Sequence, residues 1–174
     1  NTEPMLATLV DNPVDTTGWL YEIKWDGFRS ISYLENGKVD IRSRNNKKFN
    51  NKFYPLRTAL EEWDIRAVVD GEIIVINEKG YPDFNALQTW RSEADGELVY
   101  YVFDILWYEG FDLMKVPLSG RRDILRRIIP ATGPIRLSET FDVTGPALIE
   151  IATNLGLEGI LAKKEDSIYR PGER

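Results

Sequence analysis

The sequence contains no cysteine and no histidine. The first absence excludes disulfides, thiolate nucleophiles and zinc-thiolate sites, and the second excludes imidazole acid-base chemistry and Ser-His triads. Low-complexity tracts are missing too. No apolar run approaches the length of a membrane span, and the N-terminus (Asn1, Thr2, Glu3, Pro4) lacks the basic-then-apolar layout of a signal peptide. For covalent chemistry there remain lysine, hydroxyls and carboxylates. Any metal has to sit on oxygen ligands, which favours Mg²⁺ or Mn²⁺ over zinc.

What is present suits one globular domain with a single substantial core: 174 residues, 43% of them hydrophobic. The 22 cations against 28 anions give a net charge of −6, which by itself speaks against a dedicated nucleic-acid binder. The distribution is uneven. Ile41 to Lys52 carries five cations (Arg42, Arg44, Lys47, Lys48, Lys52) and no anion, a block able to approach a phosphate backbone, although a solvated loop has the same composition.

Hydrophobic periodicity places the elements. Trp19, Tyr21, Ile23 and Trp25 alternate with Leu20, Glu22, Lys24 and Asp26, the pattern of a half-buried strand. Phe28 to Glu35 reads as a second strand. Asn36-Gly37 is a hairpin signal leading into Lys38 to Ser43, so the chain is expected to open as an antiparallel meander. Pro55 to Trp63 reads as a helix, Ala67 to Ile76 as a strand, and Asp83 to Trp90 as a helix capped by Asp83. Val99 to Trp107 is apolar almost throughout, with Asp104 as the polar exception, which suits a strand covered on both faces. Ser119 to Ile129 reads as a helix begun by Ser119. Exposure to solvent alone would explain its arginine-rich face (Arg121, Arg122, Arg126, Arg127). Thr144 to Leu155 reads as a helix with Pro146 in its first turn and Gly156 as its stop, and Leu157 to Lys164 as a strand. Strands outnumber helices and strict βα alternation is missing, so the expected class is α+β with mainly antiparallel sheets.

The segment Glu22-Ile23-Lys24-Trp25-Asp26-Gly27-Phe28-Arg29 puts an acid, a lysine and a second acid on one strand face, then a tight turn and an arginine. Charges grouped in this way are costly without a ligand. A lysine flanked by Trp25 and near Arg29 meets desolvation and like-charge repulsion, both of which favour its neutral, nucleophilic form. A Lys-Asp surface pair beside a turn is the plain alternative. The linear pattern K-x-D-G-x-R recurs by chance in roughly one chain of this size in several hundred.

That segment resembles the nucleotidyltransferase motif of ATP-dependent DNA ligases and mRNA capping enzymes, in which the lysine becomes covalently attached to a nucleoside monophosphate. Four further segments resemble the other family motifs, in order: Ser43-Arg44-Asn45, Asp70-Gly71-Glu72-Ile73, Tyr101-Val102-Phe103-Asp104-Ile105-Leu106 and Glu158-Gly159-Ile160-Leu161-Ala162-Lys163. The resemblance implies that Lys24 is the catalytic nucleophile, with AMP carried covalently on it. It implies Glu22 at the adenine edge, Arg29 among the nucleotide-binding residues, Arg44 close to phosphate, and Phe103 stacked on the purine. It further implies Glu72 near the ribose or the metal, Glu158 as a metal-associated carboxylate and Lys163 close to the nucleotide. By composition alone, Phe103 reads more readily as a core residue than as a purine platform, and Glu72 reads equally as an edge-strand charge. Strict alternation puts Glu158 and Lys163 on opposite faces, so both reach one pocket only through a bulge at Gly159 or a strong twist.

Pro4 to Leu9, Trp19 to Arg29, Phe84 to Gln88 and Ser167 to Gly172 look most like the adenylation domain of bacterial DNA ligase D, which serves non-homologous end joining. The resemblance implies a DNA ligase/mRNA capping enzyme nucleotidyltransferase-like fold, ATP as cofactor with Mg²⁺ or Mn²⁺, and DNA repair by sealing of breaks. Residues 1–174 would form the adenylation domain, ending before the family's last lysine motif and its oligonucleotide-binding (OB-fold) domain. The implied partners are nicked or broken double-stranded DNA, a Ku-type end-binding protein and a polymerase domain of the same polypeptide. No membrane is implied, and the implied location is the bacterial cytoplasm, at the nucleoid when active. An mRNA capping guanylyltransferase, an RNA ligase and a non-catalytic nucleotide-binding module are the alternatives.

Overall fold

The protein is represented by a computed structural model that describes residues 2–8, 18–141, 145–154 and 159–173. The alternation of the first strand, β1 (Trp19–Lys24), is realised: Tyr21 and Ile23 are buried with Ala152, and Trp19, Trp25, Ile160 and Ala162 pack around them. Leu20, Glu22 and Lys24 take the opposite face. The next two strands, β2 (Phe28–Glu35) and β3 (Lys38–Ser43), form the expected hairpin. It turns on Asn36 and Gly37 at φ of 52° and 76°, the left-handed pair whose twist matches that of the strands.

The meander expectation fails at β1. That strand pairs instead, antiparallel, with β9 (Gly159–Lys164) on one side and β8 (Thr140–Phe141) on the other, forming a separate three-stranded sheet. Gly27 accounts for the departure. A Cβ there would collide with the carbonyl oxygen of Ile73 in β4 (Ala67–Ile76), so only a residue without a side chain lets the chain cross between sheets at this point.

The larger sheet runs β3-β2-β4-β5-β6, with β5 (Glu97–Tyr108) at its centre and β6 (Phe111–Asp112) at its edge; β7 (Ile135–Leu137) pairs parallel to β5. Its inner face carries the main core. Leu56 and Leu60 of α1 (Tyr54–Trp63), Leu87 of α2 (Phe84–Gln88) and Leu125 of α3 (Leu118–Ile128) pack there with Val69, Ile73, Val102 and Ile105. Each such side chain contributes about 1.5–3 kcal/mol by leaving water. Asp83 caps α2 as expected, its Oδ1 accepting from Ala86 N at 3.0 Å. The β5 strand is buried at nearly every position from Leu98 to Leu106, as its apolar run predicts. Two register shifts against β4 leave Phe103 and Leu106 without partners and switch the core-facing set from Leu98, Tyr100 and Val102 to Ile105.

Three local expectations are corrected or bounded, and three short strands are added. The α3 helix begins at Leu118 after Pro117, so Ser119 lies inside it and does not cap it. Arg121 and Arg122 are buried, 2% and 1% exposed, because carboxylate and carbonyl acceptors meet them beneath the helix. The last helix, α4, is described as Gly145–Asn154 with Pro146 in its first turn; Thr144, Leu155, Gly156, Leu157 and Glu158 lie outside the described residues. The strands β6, β7 and β8 have two or three residues each, too short for alternation to reveal.

Candidate functional site

A cleft of about 420 Å³ opens between the two sheets. From the small sheet, β1 contributes Glu22 and Lys24 and β9 contributes Leu161; from the large sheet, β2 contributes Arg29, β4 Glu72 and β5 Phe103, with Arg44 just beyond β3. Period-two geometry explains the grouping. In the β1/β9 register Glu22 lies opposite Leu161, and Leu20 opposite Lys163, so alternate residues of both strands share the cleft-facing side. That register runs from Gly159 to Lys164 without a shift. Leu161 joins the cleft lining without having been singled out from the motif that contains it; its position two residues before Lys163, on the same strand face, is the signal for it. A larger open depression of about 810 Å³ beside the β2-β3 hairpin is lined by Tyr33, Val68, Trp107 and Met114, and its lysine, Lys38, stands exposed at the hairpin end.

Arg29 is held by Asp70, Nε to Oδ1 at 2.8 Å and Nη2 to Oδ2 at 2.7 Å. Burial works against the guanidinium charge, but the Asp70 carboxylate outweighs it and holds Arg29 above its ordinary range. Glu22 is 1% exposed. Its Oε2 lies 3.0 Å from Lys163 Nζ and 3.7 Å from Arg122 Nη1, yet accepts no hydrogen bond. Phe103 faces cations: Lys163 Nζ is 4.1 Å and Arg29 Cζ 4.8 Å from its ring centroid. Beside them the Trp25 ring stacks on Tyr101 at 4.0 Å, and its Nε1 donates to Ser138 Oγ at 3.1 Å.

Of the side chains singled out from sequence, Glu22, Lys24, Arg29, Arg44, Glu72 and Phe103 thus line one cleft, and Lys163 reaches it through Glu22 and Phe103. Glu158 lies outside the described residues. The basic block divides. Arg42 pairs with Asp40 at 2.8 Å and Lys52 donates to the Gln88 carbonyl, whereas Arg44, Lys47 and Lys48 project as exposed side chains. Glu22, Asp26 and Glu72 line the cleft without converging, and among the described residues no group of three acids is placed to hold a metal unaided. Such a donor set suits Mg²⁺ or Mn²⁺ bound through one or two carboxylates and completed by phosphate oxygens.

Residues 4–174 match the ATP dependent DNA ligase domain family. The multifunctional non-homologous end joining protein LigD of Pseudomonas aeruginosa is 39% identical over 171 residues, which cover 96% of this chain and 20% of that protein. The SPbeta prophage-derived DNA ligase-like protein LigB of Bacillus subtilis is 30% identical over 98% of this chain and 63% of its own length. Among solved structures, a mycobacterial DNA ligase D complexed with ATP and MES superposes with a TM-score of 0.89 at 31% identity, over 99% of this chain and 57% of that one. The Chlorella virus DNA ligase-adenylate shares the fold at a TM-score of 0.69 and 21% identity, over 97% of this chain and 63% of that one. The chain therefore spans about a fifth of the LigD relative and under two thirds of each of the other three.

Proposed function

Because the chain belongs to the ATP-dependent DNA ligase domain family, we propose that its cleft binds ATP, that Lys24 becomes adenylated, and that the AMP serves to seal DNA breaks in end joining. The observation that carries this reading is the placement of Lys24 and Glu22, two residues apart on one strand face, in the same cleft as Phe103 and Arg29 of the opposite sheet. An aromatic side chain, a carboxylate acceptor and two arginines lining one cleft support a purine nucleoside triphosphate as its occupant.

In this mechanism the neutral Lys24 amine attacks the α-phosphorus of ATP in line. The P–N bond forms as the bond to pyrophosphate breaks, and the amine gives up a proton. Arg29 and Arg44 draw the phosphates toward the lysine. Arg29 is well suited to the task because Asp70 fixes its orientation before any ligand arrives. Phe103 stacks on the base. Glu72, with Glu158 as a second carboxylate, would hold a divalent cation, which would supply charge neutralisation for the phosphates. AMP then passes from Lys24 to the 5′-phosphate of a DNA break, making a good leaving group that the neighbouring 3′-hydroxyl displaces. The exposed Arg44, Lys47 and Lys48 would lie toward the DNA backbone. A Ku-type end-binding partner and a polymerase domain on the same polypeptide complete the proposal, with a bacterial cytoplasmic location.

The test is label transfer. With α-labelled ATP the intact protein should acquire an acid-labile adduct, and Lys24→Ala should abolish it. Adduct formation from GTP in preference to ATP would instead support the capping guanylyltransferase reading. ATP binding with no adduct would leave a nucleotide-binding module.

A further inference from the structure

A guanidinium taken out of water costs several kcal/mol unless acceptors meet it, so the two buried arginines at the start of α3 need an account. Arg121 has one. It forks onto Asp104, Nε to Oδ1 at 2.7 Å and Nη2 to Oδ2 at 3.0 Å, and its Nη1 donates to the carbonyls of Val116 and Ser167. These contacts tie α3 to β5 and to the C-terminal segment.

Arg122 is different. Its Nη2 donates to the Ser138 carbonyl at 2.6 Å and its Nη1 to the Phe103 carbonyl at 3.0 Å, while Nη1 also stands 3.7 Å from Glu22 Oε2. A single side chain thereby joins the small sheet at Glu22, the large sheet at Phe103 and the Ser138 segment whose hydroxyl holds Trp25, the neighbour of Lys24. Among the described residues, the buried side-chain polar atoms lacking a hydrogen-bond partner are Glu22 Oε2 and Arg122 Nε. Glu22 Oε2 faces two cations, Lys163 Nζ at 3.0 Å and Arg122 Nη1 at 3.7 Å, without a hydrogen bond from either, so this carboxylate, 1% exposed in the cleft wall, keeps room for a donor from the ligand.

We propose that Arg122 is a positioning residue for base selection, fixing the Glu22 carboxylate relative to the Phe103 ring so that the cleft accepts a purine bearing an amine at C6. This rests on reading the cleft as an ATP site. An ionised carboxylate only accepts hydrogen bonds, so it pairs with the exocyclic amine of adenine and opposes the C6 carbonyl of guanine or hypoxanthine. Because one guanidinium donates to the strand bearing the aromatic and stands 3.7 Å from the acid of the other wall, which Lys163 pairs at 3.0 Å, it sets the separation of the two. Lysine, a single point charge, cannot hold both.

The experiment measures adduct formation on the intact protein with ATP, ITP and purine riboside triphosphate, which has no C6 substituent. In the wild type, purine riboside triphosphate should show a KM about tenfold above that of ATP at similar kcat, the size of one hydrogen bond to a charged group. Equal KM values would overturn the proposal whatever the variants do. Arg122→Lys should raise the KM for ATP and lower the ATP-over-ITP preference about tenfold. Arg121→Lys should leave that preference within about twofold, since its contacts avoid Glu22. In a Glu22→Gln background, Arg122→Lys should cause no further loss of preference. An unchanged preference in folded Arg122→Lys, or an equal loss in Arg121→Lys, would refute the assignment. Absence of any Lys24-dependent adduct in the wild type would instead refute the underlying ATP reading.

Discussion

Tyr169 Oη donates a 2.6 Å hydrogen bond to Asp70 Oδ2, joining residues 99 positions apart. The same hydroxyl accepts from Met5 N at 3.0 Å, and the flanking backbones are joined by Leu6 N to Glu173 O and Gly172 N to Pro4 O. Segments from opposite ends of the described chain therefore meet at the carboxylate that aims Arg29 into the cleft.

Removing that carboxylate should be expensive. Asp70→Ala leaves the Arg29 guanidinium without its counter-charge and should cost about 3–5 kcal/mol, the range for breaking a buried pair. Asp70→Asn, which keeps an acceptor, should cost less. Urea denaturation of the two variants measures both, and a cost below about 1 kcal/mol for Asp70→Ala would mean that the pair does not stabilise the fold.

Two phenols make stability sensitive to alkali. Burial pushes Tyr100 above its ordinary range against the opposing Ser32 hydrogen bond, and burial followed by the Asp70 charge does the same for Tyr169. Unfolded tyrosines lose their protons near pH 10, whereas these two keep theirs in the fold, so the unfolded state gains as pH rises. Stability is full below about pH 10 and should fall by about 1.4 kcal/mol per pH unit for each phenol beyond it. Tyr169→Phe should remove one share of that slope. Urea midpoints followed from pH 9 to 11 decide the matter, and identical slopes would contradict the assignment.

The Phe103 ring, faced by Lys163 and Arg29, is the proposed purine platform. Phe103→Ala should weaken nucleotide binding by about 1–3 kcal/mol, while Phe103→Trp should retain most of it. Calorimetric titration with ATP gives both values, and unchanged affinity in the alanine variant would remove Phe103 from the site.

Arg44, Lys47 and Lys48 stand exposed, in contrast to the paired Arg42. If they face a DNA backbone, Lys47→Ala and Lys48→Ala should each weaken binding to nicked duplex regardless of sequence. Each should also flatten the salt dependence by about one unit of log-log slope. A slope that does not change places DNA elsewhere.

Much of this architecture was written locally. Period-two alternation marked β1 and so put Glu22 and Lys24 on one face, Asn36-Gly37 marked the hairpin, and an apolar run interrupted only by Asp104 marked β5 as a doubly covered strand. The family resemblance pointed to Arg29, Glu72 and Phe103, which line one cleft, because motifs and their order are legible in one dimension. Three things required the third dimension. β1 left its sequence neighbour β2 for β9, because strand pairing is settled by which faces must be buried together and by Gly27 permitting the crossing. Arg121 and Arg122 turned inward, since a charged helix face is solvated or buried according to the acceptors beneath it, and those come from β1, β5 and the Ser138 segment. The Tyr169–Asp70–Arg29 chain drew distant segments to one carboxylate, a relationship with no local period to announce it.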